Sequence, residues 1–213
     1  MRLRELGDAA LTLELGDSID RAVHAQVMAA YEALANESLP GVTDLVPTYR
    51  SLTVHFDPLI IDRQALIERL TAATTTPSKS VMAGRHVEIP VRFGGESGPD
   101  LAEVAKATGR SAEDIVDTLC SLEFTVYLIG FLPGFPYLGD LPDWLRLPRR
   151  ATPRTAVPPG SVAIAGQQAA VYPWESPGGW HLVGRTEVRM FDAANAERPA
   201  LLAPGDTVMF VRV

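Results

Sequence analysis

GFLPGFPYLGDLP (130–142), PRRATPRTAVPPGSVAIAGQQ (148–168) and YPWESPGGWHLVGRT (172–186) decide how this chain is read. Nine of its 17 prolines fall between Pro133 and Pro177, interleaved with glycines and aromatic residues. Proline removes a backbone donor and fixes φ, while glycine raises the entropy cost of ordering, so the stretch excludes helix. Phe131, Phe135, Tyr137, Trp144, Tyr172, Trp174 and Trp180 make it too apolar for a solvated linker. It reads as tight, rigid loops laid over a β core. Loops held that stiffly shape recognition surfaces.

Working outward, Glu123–Gly130 enters this region as a strand. Ser161–Ala165, Ala169–Tyr172, Glu187–Phe191 and Thr207–Val211 supply further short strands, the last fed by an APGD turn at 203–206. Many short strands with proline- and glycine-rich turns predict a closed or nearly closed β barrel. Upstream, Asp100 with Glu103 and Ser111 with Asp114 have capping-box spacing for two short helices.

The first 75 residues follow a different pattern. Ala9–Leu15 alternates as a half-buried strand does, and Asp17 or Ser18 can cap a helix striped by Ile19, Val23, Val27, Tyr31 and Leu34. Val42–Val46 and Leu52–Phe56 read as strands, and Asp62–Ala73 as a second helix burying Leu66, Ile67 and Leu70. With Val87–Val91 as the last strand the order is βαββαβ, which fits a small ferredoxin-like sandwich or an irregular α+β layer. Thr74–Ala83 (TTTPSKSVMA) is polar and lacks periodicity, so it reads as a linker. Two domains are expected, 1–80 and 81–213.

Composition narrows the function classes. Hydrophobic residues at 46% and charged residues at 21% are ordinary for a globular protein. No apolar run approaches the roughly 20 residues that span a bilayer, and MRLRELGDAA has no secretory h-region. The single cysteine, Cys120, excludes an internal disulfide and fits a reducing compartment, so a cytoplasmic location is expected. A net charge of −7 argues against nonspecific nucleic-acid binding. Yet Trp144 to Trp174 contains no Asp or Glu while holding Arg146, Arg149, Arg150 and Arg154. These arginines either attract a small anion or pair with Asp140, Asp143 or acids from elsewhere.

Several chemistries are missing from the sequence. His24, His55, His86 and His181 have no metal-ligand spacing, so no metal site is expected. There is no GxSxG elbow and no phosphate loop, and GGESG is too short a glycine run to serve as one. Cys120, at the end of an amphipathic helix, reads as an inert thiol. An ATP-dependent activity would therefore need machinery from a partner.

The same phrases carry a resemblance. GFLPGFPYLGDLP, PR and ATPR, VPPGSVAIAG, a glutamine, YP and SPGGWHLVGRT together resemble the allophanate hydrolase subunit 1 family. VEIPVRFGGESGPDL (87–101) is a weaker match, and the likeness covers about 87–211. That family includes the B component of 5-oxoprolinase and the Kip inhibitor of a sporulation histidine kinase. The resemblance implies a cyclophilin-like barrel and, as the leading role, the B component of an ATP-dependent 5-oxoprolinase opening a five-membered lactam to glutamate. It also implies a homologous C component and an unrelated A component of that 5-oxoprolinase as partners, ATP used by the complex, and little activity in this chain alone. Two other roles remain: inhibition of a histidine kinase, and an allophanate hydrolase or urea carboxylase component.

The resemblance also assigns residues. Arg149 and Arg154 stand at the motif's PR arginines, where a planar guanidinium suits an anion. Gln168 matches the motif glutamine and would orient an amide edge. Arg154 and Gln168 are the expected catalytic pair. Arg149, Tyr137, Tyr172, Gly178, Gly179 and Trp180 are expected to bind substrate, the glycines by letting backbone approach it. Arg185 and Thr186 either join them or tie the barrel together. Leu119–Cys120 and Ala169–Ala170 depart from the family's pattern, removing a histidine and a Thr-Gly pair.

Overall fold

The computed structural model describes residues 1–75 and 84–213, and the chain divides into two units, Met1–Ala83 and Gly84–Val213. From residue 76 on, the expected linker lies outside the described residues. None of the described helices is long and apolar enough to cross a membrane.

In the first unit β1 (Arg2–Glu5), β2 (Ala10–Glu14), β3 (Val42–Pro47) and β4 (Ser51–Phe56) form an antiparallel sheet in the order β1-β2-β4-β3. Period-two alternation sends Leu11 and Leu13 of β2, and Leu52, Val54 and Phe56 of β4, into one core. Two helices cover it, α1 (Arg21–Glu37) through Val27, Ala30 and Leu34, and α2 (Arg63–Thr75) through Leu66 and Leu70. Burying each such leucine stabilises the unit by about 1.5–3 kcal/mol. Asp20 caps α1 by accepting from Ala22 N (2.7 Å) and Val23 N (3.1 Å). The cap is thus Asp20, neither Asp17 nor Ser18, and Ile19 lies outside the helix, 44% exposed.

This is a ferredoxin-like α+β layer, with one correction to its strand order. Val87–Val91 belongs to the second unit, and the edge beside β2 is filled by Arg2–Glu5, giving ββαββα. Glu14 makes that edge polar by pairing with Arg4 at 3.0 Å.

The second unit is a closed seven-stranded barrel. Its strands are β5 (His86–Phe93), β6 (Glu123–Ile129), β7 (Pro136–Gly139), β9 (Ser161–Ala165), β10 (Gln168–Val171), β12 (His181–Arg185) and β13 (Thr207–Arg212). The order is β10-β7-β6-β13-β5-β12-β9, antiparallel except for the β13/β5 pair. All seven strands contribute to one apolar interior, including Ile89, Phe124, Leu138, Ile164, Val183 and Phe210. Helices α3 (Leu101–Thr108) and α4 (Ala112–Ser121) add Leu101, Val104, Ile115, Val116 and Leu119 to the same core. Leu119 is therefore a packing residue.

The capping boxes have different fates. Ser111 Oγ accepts from Asp114 N at 3.0 Å and Asp114 accepts from Ser111 N at 3.1 Å, as the spacing predicts. Asp100 flanks α3 but its side chain caps nothing. Glu187–Phe191, expected as a strand, is irregular chain with a bend at Met190 and one bridge, Phe191 to Ala200. Its neighbours there are loop groups, with Leu201 N donating to Met190 O (2.9 Å) and Asp192 N to Pro199 O (2.7 Å).

Candidate functional site

Alternation on the barrel strands places a second apolar cluster on the outer wall. Ala163, Ala165, Ala170 and Leu182 face away from the interior, and Phe135, Val157, Tyr172 and Trp180 pack on them. The proline-rich loops and a two-stranded ribbon, β8 (Arg154–Val157) with β11 (Ser176–Gly178), supply this layer. Phe135 is its hub, with ring centroids at 5.4 Å to Phe131, 5.0 Å to Tyr137, 5.1 Å to Tyr172 and 6.1 Å to Trp180. All four pairs are edge-on, the arrangement the ring quadrupoles favour.

A cavity of about 140 Å³ opens in this layer, lined by Arg149, Tyr137, Tyr172, Gly178, Gly179 and Trp180 together with Phe131, Phe135 and Pro177. Phe131 adopts φ of 68° and is 59% exposed at the rim. A bulky residue is rarely found there, so the surrounding loop must hold it. The six residues expected to bind substrate thus lie together around one cavity. Arg154 and Gln168 are not among its lining residues. Gln168 shares the outer face with Ala170, and its Nε2 is buried without a hydrogen-bond partner among the described residues.

The arginines separate by partner. Arg154 grips Asp100 with both nitrogens, Nη1 to Oδ2 at 2.8 Å and Nη2 to Oδ1 at 2.7 Å. Arg150 Nη1 donates to Asp100 Oδ1 (2.9 Å) and to Glu103 Oε2 (2.7 Å). Asp100 also accepts from Leu182 N at 2.7 Å. Burial alone would push this carboxyl up, but the bonds from Arg154 and Leu182 N, with the charges of Arg154 and Arg150, hold it below the ordinary range. The fork of Arg154, expected to hold an anionic substrate, is therefore occupied by a buried carboxylate. Arg149 has no carboxylate within ion-pair distance among the described residues and stands exposed at the cavity.

Arg149 is fixed by its neighbours in the chain. Pro148 O accepts from His181 Nε2 at 3.0 Å, so that nitrogen carries the proton, and Arg150 N donates to Gly179 O at 2.7 Å. The cavity's phenols stay protonated at neutral pH. Burial pushes Tyr172 up to about 12 and raises Tyr137 as well, the positive charge of Arg149 opposing both. The arrangement offers a cation, two phenolic donors and an apolar floor, which suits a small planar anion.

Gly178 also has a packing role. A Cβ there would stand 2.3 Å from the Tyr172 hydroxyl, so its bareness accommodates a phenol. At Gly179 the nearest atoms to a Cβ are 3.6 Å away, an ordinary contact. Gly178→Ala is expected to displace the Tyr172 ring and destabilise the barrel unit by about 1–3 kcal/mol, while Gly179→Ala is expected to be milder. Thermal melts of both variants test this, and equal losses would contradict the geometry.

A larger cavity of about 460 Å³ lies by Trp174, Arg185, Glu187, Arg189, Phe191 and Asp192. It contains none of the six residues assigned to substrate binding, mixes both charges, and its Arg189 sits 3.4 Å from Asp192. Thr186 at its edge is buried and ties the barrel, its N donating to Gly160 O at 2.9 Å. The small cavity is the better candidate. Phe131, Phe135 and Pro177 complete its lining beyond the residues that the motifs assign, and Asp100 holds the arginines next to it.

Comparison with known proteins agrees with the motifs. The model of the carboxyltransferase domain, subdomain C and D, matches residues 1–202. The B component of the Bacillus subtilis 5-oxoprolinase is 37% identical, covering 100% of this chain and 92% of its own length. That of Haemophilus influenzae is 46% identical (82% and 81%), and that of Escherichia coli O157:H7 is 42% identical (97% and 93%). Among solved structures, TTHA0988 superposes with a TM-score of 0.86 at 37% identity; all of this chain covers 40% of that one. The urea amidolyase of Kluyveromyces lactis has a TM-score of 0.80 at 22% identity, a likeness of fold, and this chain spans 15% of it.

Proposed function

The chain belongs to the carboxyltransferase-domain family of subdomains C and D, and on that premise we propose that it is the B component of a 5-oxoprolinase. The observation that carries the site assignment is Arg149, a cation without an acidic partner among the described residues, beside an aromatic cavity of about 140 Å³. Pockets for drug-sized ligands run about 300–1,000 Å³, so this one selects a much smaller molecule. 5-Oxoproline combines the features the lining can read, a carboxylate on a compact ring bearing an amide.

In this reading Arg149 binds the carboxylate through two parallel hydrogen bonds. Tyr137 and Tyr172, both protonated, supply donors toward the lactam oxygen, and Phe135 and Trp180 exclude water from the ring face. ATP supplies the activation that an unstrained lactam requires, by phosphorylating the amide oxygen. The cavity is too small for a nucleoside triphosphate, and in this reading ATP binds elsewhere in a complex with the A and C components. Arg154 acts within the scaffold, through Asp100.

The test is reconstitution with the A and C components. Glutamate formation from 5-oxoproline should require ATP and this chain together, and the chain alone should turn over neither ATP nor lactam. Full activity without this chain would remove the assignment. Turnover by the isolated, contaminant-free chain would overturn its dependence on partners.

A further inference from the structure

We propose that Asp100 is the positioning residue for Arg149, setting the anion-binding geometry of the cavity from a helix outside its lining. The inference rests on the substrate-binding role given to Arg149 above. Asp100 occupies the position of a helix cap, yet its carboxylate makes no cap and instead accepts four hydrogen bonds. It is 4% exposed. Three of the bonds come from Arg150 and Arg154, which flank the bend at 151–152 directly after Arg149. The fourth comes from Leu182 N, and Asp100 N donates back to Leu182 O at 2.9 Å.

The result is a clamp between two segments that border the cavity. One is the 148–154 loop; the other runs through Gly179 and Trp180 into β12. Arg150 N to Gly179 O at 2.7 Å and His181 Nε2 to Pro148 O at 3.0 Å complete the clamp on either side of Arg149. The side chain of Arg149 has no ion pair of its own among the described residues, so its direction follows from the backbone these contacts hold. A buried carboxylate with two arginines is a poor route to stability alone, because desolvation offsets much of the attraction. Orientation is the function that justifies it.

A double-mutant cycle on the assembled enzyme tests this, with KM for 5-oxoproline and thermal stability measured on the same preparations. Asp100→Asn keeps the shape and an acceptor for Leu182 N but loses the charged clamp. It is expected to raise KM about tenfold with a smaller change in kcat, the size of one lost charge-assisted contact. In an Arg149→Met background Asp100→Asn should raise KM no further, while lowering the melting temperature as it does alone. If Asp100→Asn does not assemble, Arg150→Met removes the tie nearest Arg149, leaves the Arg154 fork in place, and should show the same non-additivity. KM effects that add across the cycle, or an unchanged KM in a folded clamp variant when Arg149→Met raises it, would overturn the positioning role and leave the substrate reading intact. An unchanged KM in Arg149→Met would overturn the substrate reading and the positioning role with it.

Discussion

Arg149→Met is expected to lower kcat/KM for 5-oxoproline about 10- to 100-fold in the assembled enzyme, with the melting temperature unchanged. Both halves follow from the arginine's surroundings. It is exposed and has no acidic partner among the described residues, so removing its charge strands no buried carboxylate. Methionine retains an aliphatic stem against the loop. What disappears is the fork facing the cavity, where Tyr137 and Tyr172 already feel its field. Arg149→Lys should recover only part of the loss, because an ammonium keeps the charge without two parallel donors. A lactam lacking the carboxylate gives the control: the same variant should bind it as the wild type does. A large loss on that control would place Arg149 in the fold and outside recognition of the anion.

The second large effect concerns stability. Asp100→Ala should destabilise the barrel unit by about 3 kcal/mol, since it leaves the largely buried Arg154 fork and the Leu182 N–H without their acceptor and Arg150 with Glu103 alone. For a unit of this size that is a fall in melting temperature on the order of 10 °C. The pH dependence has a definite sign. The folded carboxyl titrates below its unfolded value of about 3.9, so its stabilisation is complete above that pH and is lost as pH falls through the lower folded value. The gap in melting temperature between wild type and variant should stay constant from pH 7 to 5 and narrow below about pH 4. A gap that persists undiminished at pH 3 would mean that the carboxylate's charge is not what holds the loops.

These two residues also mark the limit of what the sequence made legible. The barrel was readable because proline, glycine and short alternating runs are local signals, and Ser161–Ala165 appears as a strand at the bounds its pattern implies. β11 and β12 were hidden because SPGGW and the glycine at 184 carry turn chemistry inside a ladder. EVRMF misled in the opposite direction, alternating like a strand while bonding to loop groups. At the site, the six residues that the motif assigns to binding line one cavity, because the motif is dense there, while Arg154 and Gln168 lie outside that lining. Asp100 was missed because its local context, a proline before and an apolar helix after, reads as a cap. Its real partners are 50 and 54 residues away. The deficit of acids across Trp144–Trp174 left open whether its arginines hold a small anion or pair with Asp140, Asp143 or an acid from elsewhere.

The parallel pairing of β13 with β5 has a kinetic consequence. Thr207 lies opposite His86, a separation of 121 residues, and Asp206 seals the same seam by accepting from Arg85 N at 2.9 Å. Without β13, the remaining strands form an open sheet, β6-β7-β10-β9-β12-β5, whose outer strands have bare backbone edges. During synthesis β5 and β6 can gain their shared neighbour only once Thr207–Arg212 has left the ribosome. Closure across so long a loop is slow, and the waiting sheet exposes both its edges and the Ile89 and Phe124 side of its future interior. A barrel unit that has not yet taken in β13 is therefore expected to aggregate more readily than the closed one.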